Sequence, residues 1–392
     1  MDGVADGVAG LNAATVPVWD RYGHWSRPKA RLAALLLAVF IVLAAWAPGL
    51  APGPAEVPHV LPPAKDVPSG TKPPVAIPDD DGRDNDLRLY KLVAERVKRG
   101  DNYYVAATEL QRANSYPVAP GLTVRLPTLA YLFAWIGQTG MSVLAWVLVG
   151  GALLANWRRF GTEPGGETFR MFGAGFLFFG LGNATHANFL VLHEVWSGLL
   201  MALALGLHRP SQGKWLGAFV AGAAALAIRE LALPFVLLMA AYALWRRQWR
   251  EGAAWGLLAA VFLAALAWHV SLAEAQIRIG DPISPPWLVL GGLPALLYKV
   301  IHSCALSILP VFIAGPLVIL ALFGWTSWKS PMGSFASLLT LGYATAFMIA
   351  GRDNNFYWGV ILVPVLVMGL AMAPFALKSL WRQAIGGGRA FA

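Results

Sequence analysis

The chain has 392 residues, of which 57% are hydrophobic and 13% charged, with a single cysteine, Cys304. Soluble domains carry about 25% charged residues, so the composition excludes a multidomain soluble protein, intrinsic disorder and a coiled coil, and one cysteine excludes a disulfide scaffold or a cysteine metal cluster. The net charge of +9 must be read by position, because basic residues beside a membrane set topology before they say anything about nucleic acid, and no nucleic-acid partner is expected. What remains is an all-α polytopic integral membrane protein.

Residues 1–31 read as a basic cytoplasmic tail. The first apolar run, 32–50, is long enough to span and follows Arg21, Arg27, Lys29 and Arg31, which suits an uncleaved signal anchor. Residues 51–138 then form an outer loop. Its first part, Pro48 to Pro78, is so proline-rich that an extended spacer is expected. After the acidic run Asp79 to Asp86, the residues Leu87, Tyr90, Val93, Ala94 and Val97 recur at helical spacing and stop at Gly100. That pattern predicts an amphipathic surface helix with Asp84 and Asp86 at its positive N-terminal end. Leu126 to Gly137 is apolar but short, and is expected at the interface. From 139 to 377 nine further spans follow, over 139–157, 168–186, 189–207, 214–229, 231–245, 252–273, 303–324, 333–350 and 357–377, giving about ten transmembrane helices in all. The fifth and sixth share Ile228 to Pro234, which predicts a tight hairpin. Residues 378–392 form a second cytoplasmic tail.

The basic residues orient the chain. With the N-terminus inside, Arg158, Arg159, Arg170, Arg209, Lys214, Arg246, Arg247, Arg250, Lys329, Lys378 and Arg382 fall on the cytoplasmic side. The short outer loops receive only Arg229, Arg278, Lys299 and Arg352. This positive-inside bias places both termini in the cytoplasm.

The chemistry-bearing residues gather on the opposite face: Asp84 and Asp86, His186, His193 and Glu194, Arg229 and Glu230, Arg278 and Asp281, Lys299 and His302, Arg352 and Asp353. Ionisable groups at the membrane edge are costly and need a reason. Carboxylates and arginines at headgroup depth suit transfer from a lipid phosphate, since cations stabilise the departing phosphate and a carboxylate can deprotonate an acceptor hydroxyl. Simpler readings stand beside this one. Asp79 to Asp81 suit a solvated loop, Asp84 a helix cap, Arg229-Glu230 a pair closing the hairpin, and Arg352-Asp353 a turn. No cofactor is expected, and the Asp84/Asp86 pair is the one place in the sequence where a divalent metal could sit.

The segments Asp86-Leu87-Arg88-Leu89-Tyr90, Arg99-Gly100-Asp101-Asn102-Tyr103-Tyr104 and Arg125-Leu126-Pro127-Thr128-Leu129 resemble the first outer loop of the GT-C superfamily, in its aminoarabinose and protein O-mannosyl branches. The resemblance is strongest over residues 84–130. It implies a bacterial inner-membrane glycosyltransferase, a hexosyl or pentosyl transferase, with a periplasmic active site that makes cell-envelope glycans. A sugar would pass from a polyprenyl-phosphate donor to a lipid, glycan or protein acceptor, with inversion at the sugar carbon. Asp86, or Asp84 beside it, becomes the base. Arg229, Arg352 and Arg278 become the donor-phosphate ligands, and His193, Glu194, Tyr103, Tyr104 and Glu230 the substrate-binding residues. The residue after the base is Leu87 where the family commonly has an acid, and Gly351 to Trp358 match no motif. An O-antigen polymerase or ligase has its long outer loop late in the chain, whereas here it comes first. A flippase or transporter tends to carry repeated halves and mid-membrane polar residues, which this sequence lacks.

Overall fold

A computed structural model describes residues 16–47 and 85–386, excepting the side chains of Asn85, Asp353 and Asn354. Asp84 and the proline-rich spacer lie outside the described residues. The described chain is helical with isolated β-bridges and no strand. Its α-helices are α1 (Arg27–Trp46), α2 (Asn85–Lys98), α3 (Tyr103–Ala113), α4 (Thr128–Phe160), α5 (Arg170–Gly180), α6 (His193–Leu207), α7 (Leu216–Ile228), α8 (Leu233–Trp245), α9 (Trp249–Glu274), α10 (Gly292–His302), α11 (Val311–Ser327), α12 (Pro331–Ile349), α13 (Val363–Met368) and α14 (Ala373–Ile385).

Among these, α1, the run Gly121–Phe160 that contains α4, α9 and α12 are long and apolar enough to cross a membrane. The pair Val363–Ala371 and Ala373–Ile385, bent by 52°, passes the same test together, and α6, α7, the run Glu230–Trp245 and α11 are shorter apolar helices. Local chemistry explains the short and broken elements. The apolar stretch 357–377 holds Pro364, Gly369 and Pro374, and is divided into a 3-10 segment (Asp353–Ile361), α13, a second 3-10 turn and the start of α14. The stretch Leu126–Gly137 is the opening of α4, and Gly137 (φ 68°, ψ 178°) breaks the helix where the interfacial piece was expected to end. That φ suits glycine far better than any side chain.

Helix α6 lies at the centre. It is buried on nearly every face and packs against α4, α7 and the 3-10 segment before α13. A helix that is apolar all round belongs in a core, and its small residues allow close packing. At Gly198 a Cβ would stand 2.7 Å from the carbonyl oxygen of Val360, so only glycine lets that neighbour approach. At the periphery, Leu32, Leu35, Leu36 and Val42 of α1 remain exposed, as do Leu257, Val261 and Trp268 of α9. Apolar faces left uncovered on helices of spanning length suit contact with lipid.

The two ends of the bundle differ. At one end the segment before α1 is latched to the end of α14: Asp20 accepts from Ser379 Oγ at 2.6 Å, and Arg31 Nε donates to the Ala384 carbonyl at 2.9 Å. At the other end α2 and α3 pack on each other through Leu89, Val93, Val97, Tyr103, Ala107 and Leu110. Asn102 caps α3 by accepting from the backbone N–H groups of Tyr104 and Val105. This small helical layer packs on α4 and brings Tyr90 against His193 at the start of α6, and it positions the site.

Candidate active site

Asp86 occupies the first turn of α2, where the helix dipole favours a carboxylate. It is half-buried, and the Tyr116 hydroxyl donates to it from the turn after α3. Burial holds its carboxyl above the ordinary carboxylate range; the Tyr116 hydrogen bond and the nearby Arg125 charge oppose that rise, and Glu194 adds to it.

Arg125 sits just before α4 and is held by tyrosines from distant parts of the chain. Its Nε donates to the Tyr90 hydroxyl at 3.2 Å and its Nη2 to the Tyr357 hydroxyl at 3.0 Å. Its own carbonyl accepts from the Tyr103 hydroxyl at 2.6 Å. Glu194 and Glu230 both lie within its electrostatic reach. Tyr90 stands edge-on to the His193 ring, with centroids 5.4 Å apart.

Arg229 lies in the hairpin between α7 and α8, in extended conformation, and is 1% exposed. The hairpin forms because α7 ends at Ile228 and Pro234 opens α8 at a position where no N–H is needed. The Arg229 Nε stands 2.7 Å from Glu194 Oε1, and Nη1 pairs with Glu230. The Glu194 contact is close but is not aligned as a hydrogen bond, and Arg229 Nη2 has no protein partner at all. His193 Nε2 donates to the Leu126 carbonyl at 3.4 Å, which leaves Nδ1 as a buried acceptor without a donor.

The loop after α12 completes the cluster. Arg352 lies close enough to Arg125 for the two charges to interact. Its Nη2 reaches Ser284 Oγ at 3.3 Å, and its Nε is buried and unpartnered. Lys299 on α10, fully buried, donates from Nζ to the Gly351 carbonyl at 2.9 Å and so fixes the backbone next to Arg352.

Of the residues expected from sequence, the structure brings together Asp86, His193, Glu194, Arg229, Glu230 and Arg352, with Tyr103 supporting them through Arg125. Tyr104 turns aside and reaches His269 Nδ1 at 3.1 Å. Arg278 stands apart as an exposed loop residue whose backbone N–H donates to Asp281. With Asp84 outside the described residues, the acidic pair is represented by Asp86 alone. Sequence reasoning quoted Tyr90 and Arg125 within the outer-loop segments but gave neither a role, and it did not reach Tyr116, Tyr357 or the burial of Lys299. Arg125 had a signal: it opens the segment Arg125 to Leu129 immediately before an apolar run.

With Asp86 ionised, the charges of Arg125, Arg229 and Arg352 are balanced by Asp86, Glu194 and Glu230. With Asp86 neutral, the cluster is cationic. Two guanidinium nitrogens without partners, on Arg229 and Arg352, then await an acceptor. A cavity of about 30 Å³ lies beside Arg125 and His193, lined also by Tyr90, Tyr103 and Gln111 over an apolar floor that includes Leu89, Val93 and Phe133; Arg229 and Arg352 do not line it.

No protein-family model matches the chain, and no curated protein matches it. Among solved structures, the chain is similar to ArnT from Cupriavidus metallidurans in the apo state, at 18% identity and a TM-score of 0.46 over 78% of this chain and 57% of that one. It is also similar to ArnT from Cupriavidus metallidurans bound to undecaprenyl phosphate, at 16% identity and a TM-score of 0.47 over 78% of this chain and 58% of that one. The chain thus spans less than two thirds of the length of those structures.

Proposed function

We propose that the protein transfers a sugar from a polyprenyl-phosphate donor to an acceptor hydroxyl, on the outer side of a bacterial inner membrane and with inversion at the sugar carbon. The observation that carries this reading is Arg229, a buried arginine at the membrane edge that retains an unpartnered guanidinium nitrogen although two carboxylates touch it. A buried donor without an acceptor is costly, and a phosphate oxygen would satisfy it with a charge-assisted bond. Arg352, with its own free Nε, would hold the same phosphate, and Arg125 would add charge from its tyrosine cage.

Asp86 would take the proton of the acceptor hydroxyl. Burial raises its pKa and so makes it a stronger base than an ordinary aspartate, while the Tyr116 hydrogen bond and the Arg125 charge favour its ionised form. As the hydroxyl oxygen attacks the anomeric carbon, the bond to phosphate oxygen breaks and the arginines stabilise the charge that develops there. One displacement with one base inverts the anomeric carbon, and no protein nucleophile is required. Glu194 and Glu230 would orient Arg229. His193 Nδ1 could accept from a substrate hydroxyl.

The test uses purified protein in lipid nanodiscs. Undecaprenyl phosphate should bind, and a radiolabelled polyprenyl-phosphate sugar should lose its sugar to an acceptor present in a membrane extract. Movement of the intact donor across vesicles without cleavage would instead identify a carrier and sink the proposal.

A further inference from the structure

Between α9 and α10 the chain runs as an extended strap over residues 275–291 across the end of the bundle that carries Asp86. The strap is pinned at both sides. Arg112 forms a two-armed ion pair with Asp281 at 2.5 and 2.8 Å, and its Nη2 also donates to the Gln276 carbonyl at 3.2 Å. Val118 N–H donates to the Pro282 carbonyl, and Ser284 N–H to that of Ala119. Farther along, Val289 N–H donates to Ile349, the last residue of α12, and Gly351 N–H donates to Trp287. Yet the strap leaves large aliphatic side chains uncovered: Ile279 is fully exposed, Ile283 76%, Leu288 78% and Leu290 86%.

We propose that this strap is a membrane-interface element, with Ile279, Ile283, Leu288 and Leu290 seated among the headgroups and first methylenes of the adjoining lipid leaflet. The occupant follows from continuity and depth. The strap leaves directly from α9, a helix of spanning length whose Trp268 is exposed near the same end, and it is hydrogen-bonded to the end of α12, another such helix. Residues joined to the last turn of a spanning helix stand at the edge of the hydrocarbon layer, where exposed isoleucine and leucine are stable and backbone polar groups must be paired. The bonds just described pair the strap's backbone at Gln276, Pro282, Ser284, Trp287 and Val289, and its other polar groups need the hydrated headgroup layer rather than the hydrocarbon. Arg112 also holds Asp281 below the ordinary carboxylate range, so the one acid in the strap is neutralised as an ion pair. Arg278, exposed and basic, matches the anionic phosphates of the headgroup layer. Ser284 Oγ accepts from Arg352 Nη2, so the strap also holds the loop that carries Arg352.

This proposal stands on the geometry of the strap and is tested without any activity assay. In a Cys304→Ser background, single cysteines at Ile279→Cys, Ile283→Cys, Leu288→Cys and Leu290→Cys are spin-labelled in proteoliposomes. Trp268→Cys serves as the lipid-facing reference and Lys98→Cys, exposed on α2, as the aqueous one. Melting temperatures check that each variant is folded, and four positions allow for the loss of one. The expected result is collision with oxygen several-fold above collision with a water-soluble nickel complex, as at position 268. Nickel-dominated collision like that at position 98 would place the strap in water and overturn the proposal. Labels shielded from both agents would mean that another chain or a second copy covers the strap, which overturns it equally.

Discussion

The two ends of α6 both bury charge, and they bury it differently. At the His208 end, Arg159 pairs with Glu163 at 2.6 Å and His208 with Glu251 at 2.7 Å, and Trp255 Nε1 also donates to Glu251 at 3.4 Å. Each partner there has one main mate, although Arg159 Nη1 is left over. At the Glu194 end, α2, the turn at Tyr116, the segment before α4, the α7–α8 hairpin and the loop after α12 all send polar groups to one place. Burial of charge at a membrane edge is therefore no mark of function by itself. What separates the ends is convergence: several elements, several unpartnered nitrogens, and a half-buried carboxylate within electrostatic reach of Arg125 and Glu194.

The sharpest test of that difference is Asp86→Asn. Asparagine keeps the size and can still accept from Tyr116, but it is no base. Turnover should fall about 10²–10⁴-fold, the usual worth of general-base catalysis, while binding of undecaprenyl phosphate is retained. Full turnover in folded protein would remove Asp86 from the mechanism and leave Asp84 as the candidate. A paired experiment comes next. Arg159→Ala and Arg229→Ala should both destabilise, because removing one partner strands a buried carboxylate at a cost of about 3–5 kcal/mol. Only Arg229→Ala should also weaken binding of undecaprenyl phosphate, measured on the fraction that stays folded. Equal loss of binding in both variants would break the contrast between the two ends.

Part of this contrast was legible in the sequence. Glu194 and Arg229 stand out because each is ionisable and close to the end of an apolar run on the side whose short loops are poor in basic residues, and Asp86 because it opens the amphipathic helix after the acidic run. The α2 periodicity could be read from Leu87, Tyr90, Val93, Ala94 and Val97, and the α7–α8 hairpin from Ile228 to Pro234. The cage around Arg125 could not, since its tyrosines lie 35 and 232 residues away and Tyr357 sits in a 3-10 segment with no helical repeat. The burial of Lys299 was hidden for a related reason. Its environment is created by the loop at Gly351, which folds back 52 residues later. Local pattern finds the charges, and tertiary closure decides which of them meet.

The smallest expected effect probes how the Asp86 environment tunes the base. Burial raises the Asp86 pKa above its unfolded value, so charging this group opposes folding: its contribution to stability is complete below the unfolded pKa, near 3.9 for aspartate, and is lost as pH rises through the higher folded value. For catalysis the same shift has the opposite consequence, because only the carboxylate accepts a proton. The acid limb of the turnover profile should therefore lie above the ordinary aspartate range. Tyr116→Phe removes a hydroxyl donor that favours the carboxylate while keeping the ring, so the pKa should climb further and the acid limb should move to higher pH. Turnover well above that limb should change little, and the affinity for undecaprenyl phosphate should stay as it was, since Tyr116 does not touch the arginines at Arg229 or Arg352. A simple loss of structure would lower turnover at every pH alike. An acid limb that stays in place, or moves to lower pH, would show that Tyr116 does not hold the ionised form of Asp86.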